Sequence, residues 1–189
     1  GLDNIGVFDR SSPLPTGGHL EQADGTSWMA FYALTMLEIA IELSLHDPTY
    51  EPMASKFFEH FLWISGAMDD LDNPVTLWDD DDGFFYDAVV LPDGTTHRMK
   101  VRSLVGLLPL AACIVLRPDE VRRLPRFMER VAWLNEHRQR LVAGFPTLGR
   151  PGIADRRLLA AVSEEKFRRM VTRLLDETAG LAHSADALA

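Results

Sequence analysis

Apolar positions along the chain fall into runs of two kinds. From Thr26 to His46, TSWMAFYALTMLEIAIELSLH, the polar residues Thr35, Glu38 and Glu42 recur every three or four positions and form one narrow stripe. Nearly everything else there is apolar, which predicts a helix buried on most of its circumference, with Thr26 as N-cap and Trp28 in the first turn. After the breaker HDPTYEP, the segment MASKFFEHFLWISGAM places Phe57, Phe58, Phe61 and Leu62 on one face and polar residues opposite, an outer helix packed on the first. The run SLVGLLPLAACIVL, Ser103 to Leu116, is apolar throughout and reads as a second buried helix, too short to span a membrane. RPDEVRRLPRFMERVAWLNEHR then predicts an amphipathic helix with Pro118 near its start and Val121, Leu124, Phe127, Val131 and Leu134 on one face. A last helix begins near Ser163 and lines up Phe167, Met170, Val171, Leu174 and Leu175. Between these, Phe84 to Leu91 and Thr96 to Val101 flank PDGT, which predicts a short β-hairpin.

The order buried, amphipathic, buried, amphipathic is the pattern of two concentric helix layers. The expected fold class is therefore all-α: part of an (α/α)6 toroid of paired inner and outer helices, with a short β-hairpin insertion. Residues 1–178 are expected to form this partial domain, a fragment of a longer protein, and residues 179–189 a disordered tail. A partial toroid would also leave apolar helix faces uncovered.

Composition narrows the partners. The 189 residues are enough for one domain with a real core, and 47% hydrophobic with 25% charged residues is ordinary globular composition. A formal net charge of -9 excludes nucleic acid and anionic membrane surfaces as expected partners. The lone Cys113 has no disulfide partner, and as a buried thiol it fits a reducing compartment. The histidines show no metal-ligand spacing, and no nucleophile-elbow, P-loop or dinucleotide motif occurs, so neither a metal nor a cofactor is expected.

Four places carry candidate chemistry. Asp3 sits in GLDN, where an ordinary surface acid and a catalytic carboxylate are both open readings. In HLEQADGTSW, Glu21, Gln22 and Asp24 crowd the entrance of the first helix, with Trp28 one turn inside. Helix capping by Asp24 and Thr26 is one reading. The other is a saccharide site, where forked hydrogen-bonding groups flank an aromatic face. In WDDDDGFFYD, four consecutive acids fail the calcium-loop pattern. They read either as a solvated turn or as the lip of a carbohydrate cleft walled by Trp78, Phe84 and Tyr86. Arg102 stands where a helix is predicted to start, the wrong end for a cation, so it is expected to pair with an acid or contact a ligand.

The blocks GLDN, PLPTGGHLEQADGTSWMAFY, ASKFFEHFLWI, LWDDDDGFFYD and LPDGTTHRMKVRSLVGLLPL resemble the catalytic domain of glycoside hydrolase family 63, above all its bacterial mannosyl-oligosaccharide-glucosidase-like members. The likeness runs from about Gly1 to Thr178. It implies an inverting α-glycosidase acting on an oligosaccharide or glycoside, located in the bacterial cytoplasm. It assigns Asp3 as general acid and places Gln22, Asp24, Trp28, Trp78 and Arg102 around the sugar. The family's base is a Glu in a later segment that nothing after Thr178 resembles, so the base is expected from the remainder of the same polypeptide and the isolated chain is expected to be inactive. The alternative is a non-catalytic helical carbohydrate-binding or regulatory module.

Overall fold

Apolar periodicity predicts the helices well where it is long. The computed structural model describes residues 4–5, 8–9, 13–15, 17–68, 76–142 and 151–175. Helix α1 (Ala23–His46) and helix α2 (Glu51–Met68) pack as an antiparallel pair joined by a single 3-10 turn at Pro48–Tyr50. Their shared core joins Ala30, Ala33, Leu34, Leu37 and Ile41 to Phe58, Phe61 and Leu62. Small residues on the inner face of α1 let the two axes come close.

The chain is mixed α and β, which corrects the expected all-α (α/α)6 toroid. Four small antiparallel sheets occur among the described residues. Strands β1 (Asn4–Ile5) and β2 (Phe8–Asp9) pair with each other, as do β4 (Trp78–Asp79) and β5 (Phe84–Phe85). Strand β3 (His19–Glu21) pairs with β6 (Asp87–Val90), which pairs in turn with β7 (Thr96–Met99). The hairpin of β6 and β7 is the one predicted, and Gly94 at φ +83° makes its turn possible. Strand β8 (Cys113–Leu116) pairs with β9 (Arg157–Ala160).

The toroid reading fails at Ser103 to Leu116. Instead of a core α-helix, Leu104–Ala111 is a 3-10 stretch capped by the Ser103 hydroxyl, and β8 follows. Pro109 has no N–H to continue an α-helix and clashes with the carbonyl four residues back. In β8, Ile114 and Leu116 point inward while Cys113 and Val115 face solvent, so the thiol is exposed rather than buried. The expected 117–138 helix is likewise two pieces, α3 (Pro118–Arg123) and α4 (Pro125–His137), before the short α5 (Gln139–Val142). Pro125 pushes Leu124 off the helical region, to φ -119° and ψ 64°. The inward residues Leu124, Phe127, Val131 and Leu134 are nonetheless those predicted.

Helix α6 (Glu164–Leu175) starts beside Ser163 as expected, but only Met170 of its apolar face is fully buried. Phe167, Leu174 and Leu175 are exposed. Helix α1, expected to be buried on most of its circumference, instead exposes a broad apolar face, with Trp28, Met29, Tyr32, Ile39 and Leu43 turned to solvent. By length and composition alone α1 could cross a bilayer; in this fold it is the central packing helix. The expected tail at 179–189 lies outside the described residues.

Two helix ends are closed by remote side chains. Buried Glu51, at the start of α2, accepts the Phe127 N–H of α4 through Oε2 at 3.0 Å. The Arg123 guanidinium donates to the Leu45 carbonyl in the last turn of α1. Glu51→Ala is expected to lower stability by about 1 to 2 kcal/mol, the cost of a lost cap. Urea unfolding measures it. Ser65→Ala makes the contrast: among the described residues Ser65 Oγ is buried without a hydrogen-bond partner, and its removal is expected to leave stability equal or higher.

Candidate functional site

Two of the segments singled out by sequence meet at the start of β6. Strand β3 delivers Gln22 directly after Glu21, which lies opposite Ala88. The Asp87 carboxylate accepts the Ala23 N–H at 2.8 Å and so caps α1 from another strand. Helix α1 thus begins four residues earlier than predicted, with Gln22 rather than Thr26 as its extended N-cap residue. Thr26 is not the cap: its hydroxyl donates back to the Gln22 carbonyl at 2.8 Å. Asp24 is only 2% exposed, and its carboxylate accepts the Gly25 N–H at 2.8 Å. One turn on, the Trp28 indole is 41% exposed and stands edge-on to Phe31, with centroids 5.7 Å apart.

The acidic turn that follows Trp78 is neutralised from two sides. Along β7 and its continuation, Arg98, Lys100 and Arg102 alternate in sequence, as residues on one face of an extended chain do. The Lys100 ammonium lies 3.0 Å from Asp79 and 3.1 Å from Asp82. Arg98 stands 3.4 Å from Asp79, and Arg102 lies 3.2 Å from Asp82. The Tyr86 hydroxyl donates to Asp82 at 3.2 Å and accepts from Arg102 Nε at 3.3 Å. From the other side, Arg169 of α6 pairs with Asp80, and Arg173 donates to the Asp81 and Asp82 carbonyls. Inside the turn, Asp79 accepts the Asp82 N–H at 2.9 Å, and Gly83 closes it at φ +63°.

These contacts set the titration of the cluster. Burial works to raise the Asp79 carboxyl, but the Asp82 N–H, the Lys100 ammonium and the Arg98 charge outweigh it and hold it below the ordinary value of 3.8. Asp82 is lowered in the same way: Lys100 and the Tyr86 hydroxyl overcome burial and the Asp79 charge. Burial raises the Tyr86 phenol, the neighbouring Arg102 hydrogen bond opposing it. Lys100 is raised by its hydrogen bonds to Asp79 and Asp82.

Of the six predicted residues, Arg102 bonds to Tyr86 and Asp82, Gln22 and Asp24 flank Ala23, whose N–H Asp87 accepts, and Trp28 lies one helical turn past Asp24. Trp78 differs from expectation. It is 3% exposed, packs against Phe85 at 4.9 Å, and sits beneath Lys166 at 5.0 Å and Arg169 at 5.3 Å. Phe84 and Tyr86 are buried too, so the three rings read as cleft walls are core instead. Asp3 lies outside the described residues. Asp87 and Lys100 lie in segments the sequence singles out but receive no role of their own there; the every-second-residue spacing of Arg98, Lys100 and Arg102 was the readable signal for the latter. Three surface grooves of about 400 to 470 Å³ lie elsewhere, with none of the six residues in their linings.

No family model matches the chain, and no solved structure matches it significantly. It is similar to a Saccharomyces cerevisiae protein described as "Uncharacterized protein YMR196W", with 44% identity over 191 residues, covering 94% of this chain and 18% of that protein. The chain thus spans less than a fifth of the length of the curated relative it matches.

Acid should weaken the fold through the lowered carboxyls. A group whose pKa is depressed in the folded state stabilises above its unfolded pKa and loses that contribution as pH falls through the folded one. Stability is therefore expected to decline below about pH 4, starting at the ordinary carboxyl range near 3.8. Asp82→Asn should be less stable at neutral pH and show a shallower acid slope than the unsubstituted chain. Urea midpoints measured at successive pH values test both.

Proposed function

We propose that this chain is the saccharide-contacting part of an inverting glycoside hydrolase, in keeping with its resemblance to family 63. The observation that carries the reading is the meeting of QADGTSW with FFYD at β6: Asp87 holds the N–H of Ala23, next to Gln22, the adjacent Tyr86 holds Arg102, and the Trp28 indole is open to solvent. A sugar ring has an apolar C–H face and a rim of hydroxyls. An open indole suits the face, and an amide with a guanidinium suits the rim. Arg102 is braced by Tyr86 and Asp82, which fixes its fork without ligand present.

In this proposal Asp3 is the general acid. It protonates the glycosidic oxygen as the bond from the anomeric carbon breaks. Water adds to that carbon from the opposite face and gives its proton to a second carboxylate, leaving a hemiacetal of inverted configuration and a free alcohol. Asp3 must be neutral to act, which calls for burial or a neighbouring acid to raise its pKa. The second carboxylate comes from another part of a longer polypeptide. The matched relative, more than five times the span covered here, is consistent with that arrangement.

A second reading, a non-catalytic saccharide-binding or regulatory module, has its own support. Asp79, Asp80, Asp82 and Asp87 are all committed to cations or backbone N–H groups, so the acids that crowd this region do structural work.

Binding separates chemistry from recognition. Trp28→Ala and Gln22→Ala are each expected to weaken oligosaccharide binding by about tenfold, or about 1.4 kcal/mol, in calorimetric titration, with the melting temperature little changed. Asp3→Asn in the longer polypeptide should abolish hydrolysis of aryl α-glucosides and keep binding. Hydrolysis that survives Asp3→Asn would favour the binding module. Robust turnover by the 189-residue chain alone would place both carboxylates within it.

A further inference from the structure

The four tryptophans of the chain are not in equivalent settings. Trp28 stands edge-on to Phe31, and Trp78 packs on Phe85 beneath Lys166 and Arg169. Trp133 lies under the Arg130 guanidinium at 4.3 Å and stacks on His137 at 4.7 Å and 10°. Trp63, on α2, has no ring or cation partner among the described residues and is 54% exposed. An indole left that open offers an apolar ring face that a ligand can cover.

Trp63 does not stand alone on a convex surface. It forms one wall of a groove of about 470 Å³ whose other wall is the corner between α4 and α5, residues 136–141. That corner is a built structure. The Arg138 carbonyl accepts from the N–H groups of Leu141 and Val142 at 2.9 and 3.2 Å, and the Arg138 N–H donates to the Leu134 carbonyl at 2.8 Å. Buried Leu141 joins the core shared with α2 and so pins α5 to it. Around the indole the corner presents Glu136, Arg138, Gln139 and Arg140, an acceptor, two guanidinium forks and an amide that does both.

We infer that this groove is a second saccharide-binding site, with a sugar ring stacked on Trp63 and its hydroxyls bonded to Glu136, Arg138 and Gln139. The chemistry of the lining decides the ligand class. Charges of both signs interleave with an amide, which suits a neutral ligand carrying alternating donors and acceptors. Trp63 and Leu141 supply too little apolar floor for a docked peptide helix. The chain's net charge of -9 disfavours nucleic acid. None of the residues assigned to the β3 and β6 region takes part, so this inference stands or falls separately from the function proposed above.

The test is a titration followed at the four indole N–H resonances, each assigned by its own Trp→Phe variant. Maltotriose, mannotriose and cellotriose are added in turn to the isotope-labelled chain. The Trp63 resonance is expected to shift and saturate with at least one of them, with a dissociation constant on the order of 1 mM. Gln139→Ala should weaken that binding several-fold. Trp63→Ala should abolish the saturable response of the corner residues 136–141 while the rest of the spectrum stays folded. Shifts confined to Trp28 would overturn the second site and leave the proposed function intact. No shift at Trp63 with any of the three sugars, or unchanged affinity in Gln139→Ala together with a persisting corner response in Trp63→Ala, would overturn it as well.

Discussion

One carboxylate holds the two motif-bearing segments in register. Asp87 reaches across 64 residues of sequence to accept the Ala23 N–H, and this bond fixes where α1 begins. A helix starts with free N–H groups that need partners, and Gln22 offers no side-chain cap of its own. Because Asp87 also opens β6, the cap locks the helix to the sheet in which β3 and β7 flank that strand. Everything packed on α1 inherits that placement, including α2 and the 3-10 stretch at Leu104–Ala111. Together with the β3–β6 ladder, that bond fixes the first turn of α1, and Trp28 with it, against β6.

The acid turn shows how a chain with an excess of acids can still bury some of them. Asp79 is almost entirely buried, which is tolerable only because hydrogen bonds and cations surround it. Lys100 bridges Asp79 and Asp82 and so relieves the repulsion between them. The α6 arginines grip the turn mainly through its backbone carbonyls and Asp80, which joins a helix far along the chain to the same small sheet. Trp78, wedged beneath Lys166 and Arg169, completes that joint. Its burial follows from this role as a packing surface for α6.

Legibility in the sequence tracked locality. Helices α1 and α2, the inward residues of α4 and the hairpin of β6 and β7 all follow from local period and turn chemistry, and all were readable. The strand at Cys113–Leu116 was not, because its partner lies more than forty residues later and an apolar run fits a buried helix equally well. Pro109 was the available warning. Remote caps are invisible to the same reasoning: neither Asp87 on Ala23 nor Glu51 on Phe127 leaves a mark near the helix it closes. The tryptophans are divided for a related reason. Trp63 lies in an apolar run and Trp78 precedes four acids, yet tertiary contacts make Trp78 core and leave Trp63 open.

Helix α1 turns its aromatic residues outward and keeps alanines and aliphatic residues inside. Its inner positions are Ala30, Ala33, Leu34, Leu37, Ala40 and Ile41, while Trp28, Met29, Phe31 and Tyr32 lie outside. An amphipathic helix usually buries its largest apolar side chains and exposes polar ones. Here α2 and the Leu104–Ala111 stretch both press on α1, and two neighbours at close range leave room mainly for small residues between them. Large rings on this helix have nowhere to go but outward. The exposure of Trp28 is thus imposed by packing, and the helix that carries it is anchored in the core. An aromatic face that is open to solvent yet anchored to a rigid core needs little ordering when a ligand arrives, the condition under which a shallow surface contact can still contribute useful affinity.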